Sequence, residues 1–348
     1  MAEPATNDIG IEIRNLYKIF GSNPAAVAPL VRQGISKTEL RDKHGHVLGL
    51  RDINISMPAG GIQVIMGLSG SGKSTLIRHI NRLIDPTMGE ILVGGEDVVK
   101  MDRLSLRQFR RHKTAMVFQK FALLPHRSVL ENTVYGLEVQ GVPRAKQLES
   151  ARHWIDRVGL SGFENSYPNQ LSGGMQQRVG LARALTNDAP IMLMDEAYSA
   201  LDPLIRTDMQ TVLLDLQKEI RKTIVFITHD LDEALRLGDR IAILRDGEVV
   251  QQGTSQDIVL RPADDYIANF VKEVNRGRVV QVDAVMQPVA PGHQPVGEPV
   301  RTGSTVDVAM ARLAKEPDQV LTVVCEEGRP LGTLTLAAVA RAMVSDEH

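Results

Sequence analysis

A glycine-rich stretch has the residue types and spacing of a phosphate-binding loop: Gly67-Leu68-Ser69-Gly70-Ser71-Gly72-Lys73-Ser74-Thr75. Glycines lack a β-carbon, so successive backbone N–H groups can point at phosphate oxygens. Lys73 can reach the β- and γ-phosphates, and the Ser74 hydroxyl can ligate Mg²⁺. The alternative is a glycine-rich turn that fits the pattern by chance. An apolar run before the stretch (62–66) and an amphipathic run after it (76–83) predict strand, loop and helix, the order that a nucleotide site requires.

Acidic and polar residues directly follow three other apolar runs. These residues are Gln119, Asp195, Glu196 and His229. Side chains at the carboxyl ends of parallel strands lie where open α/β sheets bind their ligands. Asp195 can hold Mg²⁺ through water, Glu196 can deprotonate a water that attacks the γ-phosphate, and His229 can hydrogen-bond that phosphate. The alternatives are an acidic pair that only caps a helix and a histidine with a structural role.

A second glycine-bearing helix start lies at Ser172-Gly173-Gly174. Ser172 suits a helix N-cap, and the bare backbone of the two glycines would also admit a phosphate at the positive end of the helix. Asp202 before Pro203 is similarly an ordinary N-cap and first-turn pair. One ATP does not obviously need two helix N-termini of one chain on its γ-phosphate, so the pattern alone leaves the role of the second start open.

The elements that must position these residues follow from the hydrophobic pattern. We expect strands near 11–20, 50–57, 62–66, 91–93, 115–118, 190–194, 223–228, 241–244 and 248–250. A basic helix is expected around 106–112, and two helices within 128–160, separated at Gly141-Val142-Pro143. Between the first two strands, Ser36 and Glu39 fit a capping box and Gly45 a helix end, which predicts one small surface helix. Apolar strands separated by helices imply a parallel sheet covered on both faces.

Composition and charge limit the class of protein. The chain has 348 residues, of which 43% are hydrophobic and 24% charged, so we expect a globular protein of about two domains. The net charge of −2 does not indicate a nucleic-acid partner, and the single cysteine excludes an internal disulfide. No apolar run approaches the roughly 18 residues of a membrane span, and residues 1–10 lack the pattern of a signal peptide. We therefore expect a cytoplasmic protein whose link to any membrane runs through a partner.

Taken together, these motifs resemble an ATP-binding-cassette (ABC) ATPase over residues 11–276, because they occur in the order of that family. The resemblance implies a P-loop α/β fold with a RecA-like parallel sheet core, an antiparallel β subdomain and a helical subdomain at about 120–175. It also implies ATP and Mg²⁺ as cofactors. Two copies would pair head to tail, each ATP lying between the phosphate loop of one chain and the second glycine-bearing helix start of the other.

The resemblance also implies a role for each matching residue. Glu196, His229 and Gln119 would be catalytic, and Ser74, Gln119 and Asp195 would hold Mg²⁺. Phe20, just before Gly21, matches the aromatic position that stacks on adenine, although an ordinary core aromatic is the alternative. The nucleotide-binding residues implied in this way are Phe20, Gly67, Ser69, Gly70, Ser71, Gly72, Lys73, Ser74, Thr75, Ser172, Gly173, Gly174, Gln176 and Asp202.

Finer features are similar to the glycine betaine/proline importer ATPases, which energise uptake of quaternary amines. They are the insertion at 22–48 and the segments 65–69, 118–126 and 197–206. Tyr198 departs from the phenylalanine frequent in that group. The resemblance implies a peripheral protein on the cytoplasmic side of the inner membrane, docked on integral membrane permease subunits and supplied by a substrate-binding protein. Betaine, choline, proline and carnitine all remain open as the solute.

The last seventy residues resemble one cystathionine-β-synthase (CBS) repeat, a small α+β module that works in pairs. A helix is expected at 306–313, strands at 320–325 and 331–336, and a helix running to Met343, after a Pro/Gly-rich loop at 288–297. The predicted division is therefore an ABC ATPase domain at 1–276 and a CBS-like regulatory domain at 279–348. A small domain used only for dimer contacts is the alternative.

Three rival functions remain to be weighed. A soluble cassette protein that clamps nucleic acid commonly has two cassettes or a long coiled-coil insert, and this sequence shows neither. A nucleotide sensor without transport would not need the acidic residue at Glu196. A small-molecule phosphotransferase would leave the glycine-bearing start at Ser172 without a task. The sequence therefore favours an importer ATPase for a quaternary amine, with no nucleic-acid partner. An importer ATPase for another amino acid or methylated amine is the alternative.

Overall fold

The computed structural model describes residues 9–289 and 298–344. The chain divides into two compact units, residues 1–250 and 251–348, and each is described by itself. The predicted boundary between 276 and 279 falls inside the second unit. The loop expected at 288–297 lies mostly outside the described residues. Among the described residues, none of the helices combines the length and the apolarity needed to span a membrane.

The centre of the first unit is a six-stranded sheet in the order β10-β9-β3-β8-β7-β6. The strands are β3 (Ile62–Met66), β6 (Thr114–Phe118), β7 (Ile191–Asp195), β8 (Thr223–Thr228), β9 (Arg240–Arg245) and β10 (Glu248–Gly253). The pairs β3–β8, β3–β9, β6–β7 and β7–β8 are parallel. Every residue of β3, β7 and β8 is buried, because a parallel sheet is covered by helices on both faces. The predicted RecA-like parallel core is confirmed.

A second, four-stranded sheet in the order β2-β1-β4-β5 contributes to the same core. Its strands are β1 (Ile11–Phe20), β2 (Val47–Met57), β4 (Met88–Val93) and β5 (Glu96–Asp97). β1 pairs antiparallel with both β2 and β4. This is the predicted antiparallel subdomain, and β4 and β5 form a hairpin around Gly94-Gly95.

Helices connect and cover these strands. They are α1 (Pro24–Arg32), α2 (Lys37–His44), α3 (Lys73–Ile80), α4 (Arg103–His112), α5 (Val129–Gln140), α6 (Arg144–Arg157), α7 (Gly173–Thr186), α8 (Pro203–Ile220) and α9 (Leu231–Leu237). α5 begins with a capping box of Ser128 and Glu131, and it ends at Gly141 in the left-handed conformation. α5, α6 and α7 pack on one another as the helical subdomain.

The insertion between β1 and β2 holds two helices rather than the single one predicted. α2 begins and ends as predicted, since the Ser36 hydroxyl accepts from the Glu39 N–H and Gly45 is left-handed. α1 was missed because its pattern is atypical: Pro29 lies inside it and its N-cap, Asn23, makes no side-chain cap. A small core of Ile19, Val27, Ala28, Val31, Leu40 and Leu48 holds both helices on the strands.

The second unit begins with α10 (Ser255–Leu260), α11 (Asp265–Val271) and α12 (Arg276–Val279). A four-stranded sheet follows in the order β11-β14-β13-β12. Its elements are β11 (Gln287–Pro288), β12 (Val300–Arg301), α13 (Val306–Leu313), β13 (Leu321–Val324), β14 (Pro330–Leu334) and α14 (Leu336–Met343). β13 pairs parallel with β12 and antiparallel with β14. The elements expected between 306 and 343 are present in the predicted order.

Candidate functional site

The phosphate-binding loop connects β3 to α3, as the sequence predicts. Gly72 is the N-cap of α3 with φ +104°, a conformation that favours glycine. At Gly67, a β-carbon would lie 2.2 Å from the carbonyl oxygen of Leu244, so only a bare backbone fits there. The Lys73 ammonium is buried and donates to the carbonyl oxygens of Gly67, at 2.7 Å, and Leu68, at 3.0 Å. The loop therefore curls around its own lysine.

Residues of the loop differ in how far they are accessible. Ser69 and Gly70 are exposed at the tip, and Ser71 is buried at the base. The backbone carbonyl of Ser71 accepts a hydrogen bond from Gly247 N–H in the turn between β9 and β10, at 3.0 Å. The carbonyl of Thr75, in the first turn of α3, accepts from the His79 ring at 2.6 Å. The loop is thus anchored at its base while its tip faces solvent.

Ser74 and Asp195 lie directly against each other at the edge of the sheet. The Ser74 hydroxyl donates to the Asp195 carboxylate at 2.8 Å. The Arg78 guanidinium donates to the other oxygen of the same carboxylate at 3.3 Å. Our sequence reasoning missed Arg78, although its position four residues after Ser74 places both on one face of a helix. This hydroxyl–carboxylate pair brings hard oxygen ligands together beside the phosphate loop.

Glu196 lies at the centre of the polar cluster. Its Oε1 is 3.7 Å from the Lys73 Nζ, and its Oε2 is 3.7 Å from the His229 Nδ1. The Gln119 amide nitrogen donates to Glu196 Oε2 at 3.3 Å and to the Ser199 hydroxyl at 3.1 Å. The structure therefore brings together four residues that the sequence singles out at separate positions along the chain.

The sheet register explains why these residues meet. Phe118 of β6 is level with Asp195 of β7, and Asp195 is level with Ile227 of β8. The next residues along the chain therefore leave the sheet at the same edge. Glu196 turns out of the strand with φ +47°, a strained conformation for a residue with a side chain. This turn brings its carboxylate over the end of the sheet.

Burial and charge act in opposite directions on Lys73. Burial lowers the pKa of its ammonium, while the neighbouring carboxylates of Glu196 and Asp195 raise it. Burial is the largest of these effects, so the pKa of Lys73 is lowered on balance. A phosphate placed against the ammonium would favour its protonated form, and Mg²⁺ would offset the two carboxylates, which by themselves repel an anion.

The second glycine-bearing helix start has other neighbours. Ser172 is the N-cap of α7, and its hydroxyl accepts from the Met175 N–H at 3.3 Å. A β-carbon on Gly174 would lie 2.7 Å from Ile205 in the first turn of α8, so the glycine lets these helices approach. Asp202 caps α8 through the Ile205 N–H, at 3.1 Å. Within one chain, Ser172 and Asp202 therefore form the helix caps that the sequence predicts.

Gly173 and Gln176, the other predicted nucleotide-binding residues at the start of α7, make contacts within the chain. Gly173, the first residue of α7, faces the Phe121 ring, which would lie 3.7 Å from a β-carbon there. The Gln176 side chain donates to the backbone carbonyl of Leu171 at 3.2 Å. These local contacts hold the backbone of residues 171–176 in a fixed shape.

Phe20 lies at the end of β1 with 39% of its surface exposed. The Lys18 ammonium is 5.0 Å from the centre of its ring. A β-carbon on Gly49 of β2 would lie 2.6 Å from the ring, so one ring edge lies against bare backbone. The ring is not fully buried as in an ordinary core aromatic, and its stacking on adenine stays a prediction.

The residues present fit a bound Mg²⁺. Magnesium prefers hard oxygen ligands and usually keeps several waters, so it needs few protein groups. The Ser74 hydroxyl and the Asp195 carboxylate supply such oxygens 2.8 Å apart. Gln119, the third predicted ligand, donates from its amide nitrogen to Glu196 and Ser199, so its amide oxygen is the atom that would ligate the ion. Among the described residues, no group of three His, Cys, Asp or Glu side chains is arranged to hold a metal, and the predicted ligand set accordingly contains a hydroxyl and an amide beside the carboxylate of Asp195.

The amino-acid sequence of this chain is similar to those of known proteins. A family model described as ABC transporter matches residues 50–199. The glycine betaine transport ATP-binding protein OpuAA of Bacillus subtilis (strain 168) is 46% identical, over 97% of this chain and 79% of that protein. The glycine betaine/proline betaine transport system ATP-binding protein ProV of Escherichia coli (strain K12) is 45% identical, over 97% of this chain and 84% of that protein.

A solved structure shares the fold. It is titled as the dimeric structure of MJ0796, a bacterial ABC transporter cassette, and it is 34% identical with a TM-score of 0.60. The match covers 70% of this chain and 98% of the cassette.

Proposed function

This chain belongs to the ABC transporter ATPases, and from that premise we propose that it hydrolyses ATP to energise the import of glycine betaine or a related quaternary amine. The observation that carries the proposal is the position of the Glu196 carboxylate, which lies near Lys73, Gln119 and His229 at the end of the sheet. Two relatives that are named for glycine betaine transport, and aligned over 97% of the chain, support the solute class.

ATP would bind with its phosphates along residues 67–75. Lys73 would exchange the carbonyl oxygens of Gly67 and Leu68 for phosphate oxygens, which carry full negative charge. Phe20 would stack on the adenine ring. Ser74, Gln119 and Asp195 would hold Mg²⁺, which supplies charge neutralisation on the phosphates when it is bound.

Hydrolysis needs a base that accepts a proton from the attacking water. Glu196 is the residue best placed for this role, because its carboxylate lies at the centre of the cluster, 3.7 Å from the Lys73 ammonium. Gln119 and His229, on the neighbouring strand ends, would orient the water and hydrogen-bond the γ-phosphate. As the water oxygen bonds to the γ-phosphorus, the bond from that phosphorus to the β–γ bridging oxygen breaks, ADP leaves with that oxygen, and the proton of the water passes to Glu196.

The active form would be a head-to-tail pair of chains. The dimeric cassette MJ0796, 34% identical to this chain, supports the pairing of two chains, and the head-to-tail order is what the family resemblance implies. In the pair, the N-terminus of α7 would face the partner's γ-phosphate, with Ser172, Gly173, Gly174 and Gln176 at the contact and Asp202 next to it. The close approach of α7 and α8 at Gly174 brings the start of α7 next to the first turn of α8, which Asp202 caps.

A groove in the first unit is the proposed docking site for the membrane permease. It has a volume of 780 Å³, and apolar side chains such as Leu83, Tyr135 and Val139 contribute to its walls. Its arginines are Arg103, Arg107, Arg110, Arg111 and Arg183, and among the described residues the lining includes no Asp or Glu. A cytoplasmic segment of the permease with apolar and acidic side chains would complement such a wall. Gln119 follows Phe118, which also lines the groove, so the docking site adjoins the cluster around Glu196.

The chain would then lie on the cytoplasmic face of the membrane, held by the permease, while a separate binding protein delivers the solute. We also propose that residues 279–348 form a CBS-like regulatory module that pairs with the same segment of the second chain. Support comes from the strand–helix–strand–strand–helix order of β12, α13, β13, β14 and α14. The helices of 251–278 would move with this module, since the Gln256 side chain donates to the Val279 carbonyl at 2.9 Å.

The test is transport in reconstituted vesicles. The chain is assembled with the membrane subunits and binding protein encoded beside it, and uptake of labelled glycine betaine is measured with ATP supplied to this chain. We expect ATP-dependent uptake that unlabelled proline betaine reduces by competition. ATP hydrolysis that responds to DNA or RNA, with no solute uptake, would favour the rival function on nucleic acid instead.

A further inference from the structure

Three glycines from different parts of the chain meet beside the phosphate loop. A β-carbon on Gly72 would lie 3.0 Å from the Gly49 carbonyl oxygen, and one on Gly247 would lie 2.5 Å from the same oxygen. Gly247 also donates its N–H to the Ser71 carbonyl at 3.0 Å. Backbone therefore touches backbone here, and a displacement of the β9–β10 turn is passed directly to the base of the loop.

Arg51, on β2, joins this turn to the inserted helices. Its backbone N–H donates to the Gly247 carbonyl at 2.8 Å. One end of its guanidinium lies 3.2 Å from the Glu248 carboxylate, and the other donates to the Ile35 carbonyl at 2.5 Å. Ile35 is in the short link between α1 and α2. One planar side chain thus spans the insertion and the turn, a geometry that the two-sided fork of arginine permits and a single ammonium does not.

The inserted helices are themselves held in place, so they can fix the position of the Arg51 side chain. Its helices pack on β1 and β2 through their own apolar core. His46 joins its two ends, because the ring lies 2.6 Å from the Ser22 carbonyl through Nε2 and 2.6 Å from the His44 carbonyl through Nδ1. A second and more exposed ion pair joins Lys37 to Asp246 of the same turn, at 3.8 Å. The turn is therefore held from the insertion side as well as from the sheet.

We infer that Arg51 is a positioning residue for the nucleotide site, through which the inserted helices hold the phosphate loop in its ATP-binding shape. Arg51 would act through the turn at Gly247 and not by touching the nucleotide. Without its side chain the phosphate loop would be less ordered in the absence of ATP. Part of the binding free energy would then be used to order the loop. The affinity for ATP should fall, while the rate of the chemical step, set by Glu196, should change little. The inference rests on the nucleotide-binding part of the proposed function.

The test compares Arg51→Met with a matched control, Arg41→Met. Arg41 belongs to α2 of the same insertion, and its guanidinium forms an ion pair with its neighbour Asp42. We expect Arg51→Met to raise the Kd of the full chain for ATP about tenfold, which corresponds to about 1.4 kcal/mol. In the assembled transporter its KM for ATP should rise in parallel with kcat nearly unchanged. Amide hydrogen exchange at residues 67–74 without nucleotide should be faster. Arg41→Met should match the wild type in all three measurements.

A role in stability alone gives a different result. If Arg51→Met lowers the melting temperature but leaves the Kd, the KM and the exchange of residues 67–74 at wild-type values, the inference is wrong. If Arg51→Met does not fold, Arg51→Lys is measured in the same way, with an expected Kd increase of about threefold because one of the two contacts is lost. If the wild-type chain itself does not bind ATP, the proposed function fails, and that failure is distinct from equal binding by wild type and variant.

Discussion

At the scale of single residues, Glu196 combines a strained backbone with a carboxylate held beside a buried cation. Strain of this kind persists where the surrounding structure fixes it, and it occurs often at functional sites. Replacing Glu196 by glutamine keeps the shape of the side chain and removes the base. We expect Glu196→Gln to slow ATP turnover of the assembled transporter by about a hundred- to ten-thousand-fold, with the Kd for ATP nearly unchanged.

The contrasting variant is Lys73→Ala, which should weaken ATP binding itself, because it removes the buried cation that is proposed to bind the phosphates. Turnover is followed by phosphate release and affinity by titration with a fluorescent nucleotide. Near-normal turnover of Glu196→Gln would show that another group acts as the base.

His79 is a second residue with a measurable effect, although it lies outside the reaction. It is fully buried in α3, and burial lowers its pKa from 6.5 to about 4, with Lys18 adding to the effect and the Thr75 carbonyl and Asp85 opposing it. The unfolded chain binds a proton at this residue below about pH 6.5, whereas the folded chain does so only near pH 4. The contribution of neutral His79 to folding is therefore present above pH 6.5 and is lost as the pH falls, by up to roughly 3 kcal/mol.

We expect His79→Leu to flatten the dependence of the unfolding free energy on pH between 7 and 5. The measurement is denaturant unfolding of both proteins at several pH values. Equal slopes for the wild type and the variant would show that this histidine does not titrate as its burial implies. The comparison of slopes cancels other groups such as Glu233, whose pKa burial raises, because both proteins contain them.

Single residues also show where sequence reasoning reaches its limit. Lys73 and Ser74 are recognisable because a phosphate loop constrains their spacing. Arg51 is not, since its contacts with Ile35 and Glu248 join segments that are far apart in the chain. Such contacts depend on tertiary packing, and one sequence without structure does not reveal which arginine makes them.

At the scale of elements, predictions were reliable where local chemistry and periodicity agree. β8 was predicted at its observed bounds, 223–228, and α13 at 306–313. α2 was predicted from its capping box and its terminal glycine. α1 was missed, because an internal proline and an uncapped start argue locally against a helix, and packing of Val27 and Val31 overrides that tendency.

The elements also give a prediction for the groove beside α4. Arg103 and Arg107 are exposed on this helix and line the groove. Reversing both charges, in Arg103→Glu with Arg107→Glu, places carboxylates where acidic groups of the permease are expected. Like charges brought together cost several kcal/mol, so copurification with the membrane subunits should fall about tenfold or more. ATP binding by the isolated chain should be unchanged.

The matched control for the groove is Arg152→Glu. Arg152 is exposed on α6 and lies outside the groove lining. This variant should assemble like the wild type. Normal assembly of the double variant would contradict docking at the groove, and equal losses in both proteins would point to net charge rather than to the site.

At the scale of the whole molecule, the sequence indicated two parts but placed their boundary about 26 residues downstream of the division between the compact units. The change in composition after Arg276 suggested the boundary. The helices of 251–278 belong to the second unit through contacts such as that of the Arg276 side chain with the Val344 carbonyl, at 3.0 Å. Composition reports the chemistry of a segment and does not report what the segment packs on, so the two boundaries differ.

Assembly gives the last prediction. Lys73 and Ser172 belong to separate local structures within one chain, the start of α3 and the start of α7. If each ATP lies between the two chains, a site uses Lys73 of one chain and Ser172 of the other. A pair with Lys73→Ala in one chain and Ser172→Arg in its partner then concentrates both defects in one site. The other site keeps an intact lysine and an intact serine.

We therefore expect that mixed pair, isolated through two different affinity tags, to retain roughly half of the wild-type ATP turnover if the two sites act independently. A pair with both changes in both chains should retain almost no turnover. A pair in which every chain has Ser172→Arg alone should also retain almost none. If instead each chain forms a complete site by itself, both chains of the mixed pair are defective and its turnover falls to the level of the fully changed pair. Recovery in the mixed pair and its absence in the others distinguish the two arrangements, because only sites shared between chains collect both changes in one site and leave the other site intact.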